Sequence, residues 1–131
     1  MWKRPNNKYG NKVLNVDGQK YDSKKEYYYW LFLQDRQKKG EITNLRRQVA
    51  FEIVPEVTEE YVKHFVRKPD EVRTKVVQPA VHYMADFVYT DTKTGQEEVV
   101  DVKSEATRKD KVYILKKKMM RAFKHIVIVE V

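Results

Sequence analysis

The chain has no cysteine and only four glycines and four prolines in 131 residues. Without a thiol there is no disulfide framework, no thiolate metal site and no cysteine nucleophile, a composition that suits a reducing compartment. The glycines, at 10, 18, 40 and 95, are too scattered to build the glycine-rich loop that cradles a nucleotide phosphate. A nucleotide cofactor is therefore not expected. His64, His82 and His125 show no metal-ligand spacing, which argues against zinc. No apolar run approaches the length that crosses a bilayer, and the first residues lack the apolar stretch of a secretory signal. A soluble, cytoplasmic protein with no membrane partner is the expectation.

What the chain does have is positive charge. Lys and Arg exceed Asp and Glu to leave a net +8, and the excess gathers at both ends, over the first 25 residues and again from Lys103 to Lys124. Such clustering points to a polyanionic partner. Hydrophobic residues make up 41% of the chain, enough for a core, and the length suits one domain. Residues 1–11 read as a flexible basic arm and 12–131 as a single domain.

Within that domain, Asp17-Gly18 predicts a tight turn in a small hairpin from Lys12 to Tyr21. Asp22-Ser23 opens a helix that runs to about Lys39 and stops at Gly40. Its body, Tyr27 to Leu33, is apolar around most of its circumference, which predicts deep burial or packing on a second subunit. Residues 45–54 alternate as a strand, with Val49, Phe51 and Ile53 opposite Gln48, Ala50 and Glu52. Residues 56–80 fit a protruding hairpin or, over Thr58–Phe65, a short helix. Two strands follow at about 81–90 and 97–104. A helix over 106–123 is expected to bury Val112, Leu115, Met119 and Phe123, and a last strand covers 125–131. The order predicts an α/β fold with an αβββαβ core, a mixed central sheet flanked by helices, an N-terminal hairpin and an insertion near 55–80.

The two central strands each carry an acid within an apolar run, Met84-Ala85-Asp86-Phe87-Val88 and Val99-Val100-Asp101-Val102-Lys103. A carboxylate in a buried strand is costly unless it is paired or binds a metal. Antiparallel pairing brings Asp86 and Asp101 together, and period-2 alternation puts Lys103 on the face of Asp101, roughly 7 Å along. Asp86, Asp101 and the Val102 carbonyl could hold Mg²⁺, with Mn²⁺ a substitute, while Lys103 orients water or stabilises charge on a phosphate. Against this, a bare D-x-K recurs by chance, and Asp101–Lys103 could be a surface ion pair.

Glu26 is a third candidate acid, although Ser23-Lys24-Lys25-Glu26 also matches a helix capping box. Gln48 is a candidate supporting residue or simply a solvated one. Lys24, Lys25, Arg108, Lys109, Lys116 and Lys117 are candidates for phosphate contacts, and no base-reading motif is present.

Taken in order, Glu26, Asp86 and Asp101-x-Lys103 followed by a basic helix and a strand resemble the PD-(D/E)XK nuclease superfamily. Within it, Tyr9-Gly10-Asn11-Lys12, Tyr21 to Glu26, Gly40-Glu41-Ile42, Gln48 and Ala85-Asp86-Phe87-Val88-Tyr89 resemble a family of small phage and prophage endonucleases. The resemblance covers nearly the whole chain and is weakest over 55–80. It departs at Ala85, where the superfamily has Pro, and at Asp101, where Glu is commoner. It implies a restriction-endonuclease-like core. It also implies Glu26, Asp86, Asp101 and Lys103 as active-site positions, Gln48 in support, Mg²⁺ as cofactor, and the host cytoplasm as the setting if phage-encoded. Similar-sized relatives, the archaeal Holliday junction resolvases and phage endonuclease I, are dimers that act on branched DNA. The same substrate and a homodimer, with the Tyr27–Phe32 helix as contact, are the expectation. Alternatives are a nuclease for linear, nicked or single-stranded DNA, and a non-catalytic DNA-binding accessory protein.

Overall fold

Two hairpins, three helices and a four-stranded sheet make up the computed structural model, which describes residues 13–131; the basic arm expected at 1–11 lies outside the described residues. In chain order the elements are β1 (Leu14–Val16), β2 (Gln19–Tyr21), α1 (Lys24–Lys38), β3 (Ile42–Val54), β4 (Val57–Lys63), β5 (Glu71–Gln78), β6 (Val81–Asp91), β7 (Glu97–Asp101), α2 (Glu105–Arg108), α3 (Lys111–Lys124) and β8 (Ile128–Glu130). The Asp17-Gly18 turn joins β1 to β2 as its dipeptide requires, with φ of 51° and 78°.

The central sheet has the order β3-β6-β7-β8. Its first two pairings are antiparallel and the last is parallel, so the sheet is mixed. A parallel neighbour needs a crossover, which α2 and α3 provide between β7 and β8. Adjacent residues of β7 point to opposite faces and separate two cores. Val99 packs with Ile53, Tyr83, Ala85, Val88 and Ile128 under Tyr113 and Met120 of α3. Val100 packs with Ile42, Phe87 and Tyr89 under Leu33 of α1, where Trp30 stacks on Phe87 at 6.0 Å. The expected mixed sheet with helices on both faces is therefore what forms.

One irregularity falls at the level of the two acids. Ala85 and Phe87 are two residues apart and would share a face in a regular strand, yet they lie in different cores. The alternation of β6 breaks at Asp86. On the neighbouring strand, Leu45 packs on one face and Val49 on the other although their separation is even. Between them Gln48 sits at φ +49°.

The C-terminal helix differs from expectation in two ways. It is broken: Ser104 caps α2 through the Thr107 N–H at 3.2 Å, and Asp110 caps α3 anew through the Tyr113 N–H at 3.2 Å. Its buried face is also not the expected one. Val112, Leu115 and Phe123 are exposed, Met119 is partly covered, and Tyr113 and Met120 face the sheet. Residues 113, 117 and 120 share helical spacing as well as 112, 115, 119 and 123 do. The choice falls to Tyr113, whose hydroxyl reaches Glu130 on β8 at 3.0 Å. Smaller differences are that β7 ends at Asp101 rather than near 104, and β8 spans only Ile128–Glu130, because His125 closes α3 in the left-handed region at φ 57°. Residues 57–78 form the hairpin and not the helix.

The two faces of α3 give a direct test. In urea denaturation, Met120→Ala should lose about 2–5 kcal/mol, whereas Leu115→Ala should stay within about 0.5 kcal/mol of the parent.

Candidate active site

The β6–β7 ladder runs from Thr90↔Glu97 to Phe87↔Val100. The next step sets Asp86 against Asp101, and there side chains take over from the backbone. The Asp86 N–H donates to Asp101 Oδ1 at 2.8 Å, and the Val102 N–H donates to Asp86 Oδ2 at 2.9 Å. Each acid thus holds the strand of the other. Both are buried, Asp86 at 7% exposed and Asp101 at 0%. Asp101 Oδ2 is buried and, among the described residues, without a hydrogen-bond partner, and Lys103 Nζ stands 3.9 Å from it. Lys103 lies beyond the end of β7, but its N–H bonds the Val131 carbonyl at 3.2 Å and keeps it on the parallel edge. Its ammonium sits 5.2 Å above the Tyr113 ring. Val102 meets Asp86 through its N–H rather than its carbonyl.

Glu26 arrives from the first turn of α1 and has two roles at once. Ser23 Oγ accepts from the Glu26 N–H at 3.1 Å, and Glu26 Oε2 reaches back to the N–H of Asp22, one residue before the N-cap, at 2.8 Å, a variant of the capping box. The other oxygen, Oε1, accepts from Gln48 Nε2 at 2.9 Å, and the same nitrogen reaches Asp86 Oδ1 at 3.3 Å. Gln48 thereby links the helix carboxylate to the strand carboxylate. Its left-handed backbone is uncommon for a residue with a side chain and is strained. That strain falls opposite Asp86, where β6 changes face.

Arg47 is a site residue the sequence reading missed. Its guanidinium lies 3.9 Å above the Tyr21 ring, 3.5 Å from Glu26 Oε1, and donates to Gln19 Oε1 at 2.8 Å and the Lys20 carbonyl at 3.0 Å. It pins the β1–β2 hairpin to the acid cluster. The only local signal was an Arg-Arg pair inside a strand, and its burial depends on where the hairpin lands.

All three acids are pushed above the usual carboxylate range. Burial is the main cause for each; the charge of Asp86 adds to it at Glu26, while Lys103 opposes it at Asp86 and Asp101. Hard carboxylate oxygens suit Mg²⁺ or Mn²⁺, and the orphaned Asp101 Oδ2 has unused acceptor capacity. Among the described residues no three His, Cys, Asp or Glu side chains close into a cage. Mg²⁺ does not require one, since it keeps several waters and commonly takes only one or two carboxylates. Asp86 and Asp101 fit that pattern, with Glu26 joined to them through Gln48.

The candidate phosphate contacts are dispersed. Lys24 and Lys25 are exposed at the start of α1. On the crossover, Lys117 is ion-paired with Glu130, Arg108 Nε lies 3.7 Å from Glu130, and Lys109 pairs with Glu105 at 3.6 Å. Lys116 is half-buried on α3. Burial works against the Glu130 charge, yet the bonds from Lys117 and Tyr113 hold its carboxyl below the usual range.

A raised carboxyl pKa means that the folded state binds the proton more tightly than the unfolded state. The penalty at Asp101 is therefore complete above its folded pKa and gone below the unfolded value of about 3.9. Asp101→Asn keeps an oxygen to accept from the Asp86 N–H and removes the charge. Without added metal it should melt above the parent at pH 7, with the advantage shrinking as pH falls toward 4. An equal or lower melting temperature at pH 7 would show that Lys103 already offsets the burial.

Compared with known proteins, the chain matches no curated protein and no solved structure. A family described as a protein of unknown function, DUF1064, matches over residues 6–129, nearly its whole length. This chain belongs to the DUF1064 family.

Proposed function

We propose that this chain is a Mg²⁺-dependent DNA endonuclease with a restriction-endonuclease-like core, acting as a cytoplasmic homodimer on branched DNA such as four-way junctions. The observation that carries the reading is Asp101 Oδ2, buried, without a hydrogen bond, and 3.9 Å from Lys103 Nζ. Most buried acid oxygens are hydrogen-bonded; Arg47 Nε and the Tyr83 hydroxyl are also without a partner among the described residues, but neither is a charged oxygen facing an ammonium. The like-charged Asp86 beside Asp101, and the strained Gln48 that ties Asp86 to Glu26, support the same reading.

In this proposal Asp86 and Asp101 hold the ion, with the Val102 carbonyl and Glu26 as further donors. Bound there, Mg²⁺ would neutralise phosphate charge and favour a hydroxide-like water. Lys103, set by Asp101, orients that water or donates to a phosphate oxygen. Gln48 keeps the two acids in register, and Arg47 holds Glu26 from behind. The exposed Tyr28, Leu31 and Phe32 of α1 supply an apolar face for the second copy, whose site would cut the opposite strand.

The test is cleavage of a labelled four-way junction and a matched linear duplex, with Mg²⁺ or with EDTA. Paired nicks in the junction alone should appear with Mg²⁺, vanish in EDTA, and be absent with Asp101→Asn. Lys103→Ala should slow cutting by about 10²–10³-fold, and Gln48→Ala by about 10–100-fold. Equal cutting of both substrates would keep the nuclease and remove the branch preference. Binding without any cutting would sink the enzyme.

A further inference from the structure

The β4–β5 hairpin has no place in the core. Every residue of β4 is exposed, β5 is nearly so, and among the described residues neither strand pairs with a third. Neither core cluster takes a residue from 57–78. Its root is set by two prolines. The β3–β6 ladder ends at Val54↔Val81 and the new one begins at Val57↔Gln78, with Pro55 and Pro79 in the gap. Proline has no N–H to give, so one long ladder becomes two units. The result is an arm rooted on β3 and β6, the strands that carry Gln48 and Asp86.

The two faces of this arm differ. By its register, Glu59, Tyr61 and Lys63 share a face with Glu71, Arg73 and Lys75, while Val62, Val72 and Val76 share the other with Thr58, Glu60 and Thr74. The first face interleaves cations with rings. Lys75 sits 5.6 Å above Tyr61; Lys63, Lys68 and Arg73 stand 5.3, 4.1 and 5.5 Å from the ring of Phe65 at the tip. Near the tip Glu71 pairs with Lys68 and Arg73, and Asp70 with His64; Glu59 shares the face opposite Lys75, so Lys63 and Lys75 carry most of its free positive charge. Arg73 and Lys75 recur at ~7 Å along the strand, about two base steps of duplex. The cations match backbone phosphates and the rings between them can lie against the sugars, and a two-stranded ribbon has the width that a major groove admits.

We infer that the β4–β5 arm is a DNA-binding clamp that grips duplex flanking the site through Lys63, Lys68, Arg73 and Lys75 around Phe65 and Tyr61. This rests on the nuclease reading only for the identity of the nucleic acid. From Gln48 to Lys63 the chain path is fifteen residues, at most ~50 Å at about 3.3 Å per residue. The arm can therefore reach up to about 15 base pairs from the acids at 3.4 Å per base step. The arm adds affinity only on duplex long enough to occupy the acids and the arm together.

The experiment is fluorescence-anisotropy titration of 10- and 30-base-pair duplexes in EDTA over a series of salt concentrations. The parent is compared with Lys63→Gln/Lys68→Gln/Lys75→Gln, which leaves the Arg73–Glu71 pair, and with Val62→Ser/Val72→Ser. The lysine variant should bind the long duplex at least tenfold more weakly, with a salt slope lower by about 2–3, and the short duplex unchanged. Circular dichroism and thermal melting check that each variant folds. Equal loss on both lengths, or none on either, would overturn the clamp. So would a serine variant that turns a dimer into a monomer while the lysine variant binds as the parent does, because the arm would then join protein to protein. Length-dependent loss in a protein that never cuts with Mg²⁺ would leave the clamp standing and end the nuclease reading alone.

Discussion

Two like-charged carboxylates buried on adjacent strands are the constraint around which this molecule is arranged. Asp86 and Asp101 each give up solvent, and each accepts the backbone N–H that an ordinary ladder would have given to a carbonyl. Ion burial of this kind costs several kcal/mol before compensation. The compensation is local and incomplete: two backbone donors, one glutamine amide and one lysine, whose ammonium faces an Asp101 oxygen that accepts no hydrogen bond among the described residues. Both neighbouring strands shift their inward faces at this level. Gln48 does so through a left-handed backbone, and Asp86 sits at the break in β6.

The surrounding core supports that cost. Ala85, Phe87 and Val100, immediate neighbours of the two acids, are among the most completely buried residues. They are covered from one side by α1 and from the other by α3. The helices also deliver polar groups to the same level. The first turn of α1 brings Glu26 through its own cap. The crossover brings Tyr113, Arg108 and Lys117 onto Glu130, the residue beside Asp101 in the parallel ladder. Part of the basic character of the crossover is thus tied down on β8, and the exposed lysines of α1 and of the hairpin arm stand apart from it.

Legibility in the sequence followed the range of the interaction. Asp86 opposite Asp101, Lys103 beside it, the Asp17-Gly18 turn and the Ser23–Glu26 cap depend on residues close in sequence or on a single hairpin register, and all could be read from spacing. The hairpin over 57–78 could be read only as one of two options, because it has no buried face to impose a period. The covered side of α3 was misread, since two stripes of similar spacing compete and only the position of Glu130 decides between them. Arg47 left only the faint trace of an Arg-Arg pair inside a strand, and the backbone of Gln48 left none. An arginine becomes a positioning residue only when Tyr21, Gln19 and Glu26 converge on it from two other elements.

From the residues alone came the αβββαβ succession of the core, the clustering of positive charge, the pairing of two acids with a lysine and the lack of cysteine and of a glycine-rich loop. These are properties of composition and of periods of 2 and 3.6 residues. Which face of α3 is covered, that Gln48 joins Glu26 to Asp86, and that Asp101 keeps a buried oxygen free of hydrogen bonds from the described residues were settled only by the tertiary fold. Each of these depends on where a distant element comes to rest, and burial and hydrogen-bond satisfaction are fixed by that placement rather than by the residues next in line.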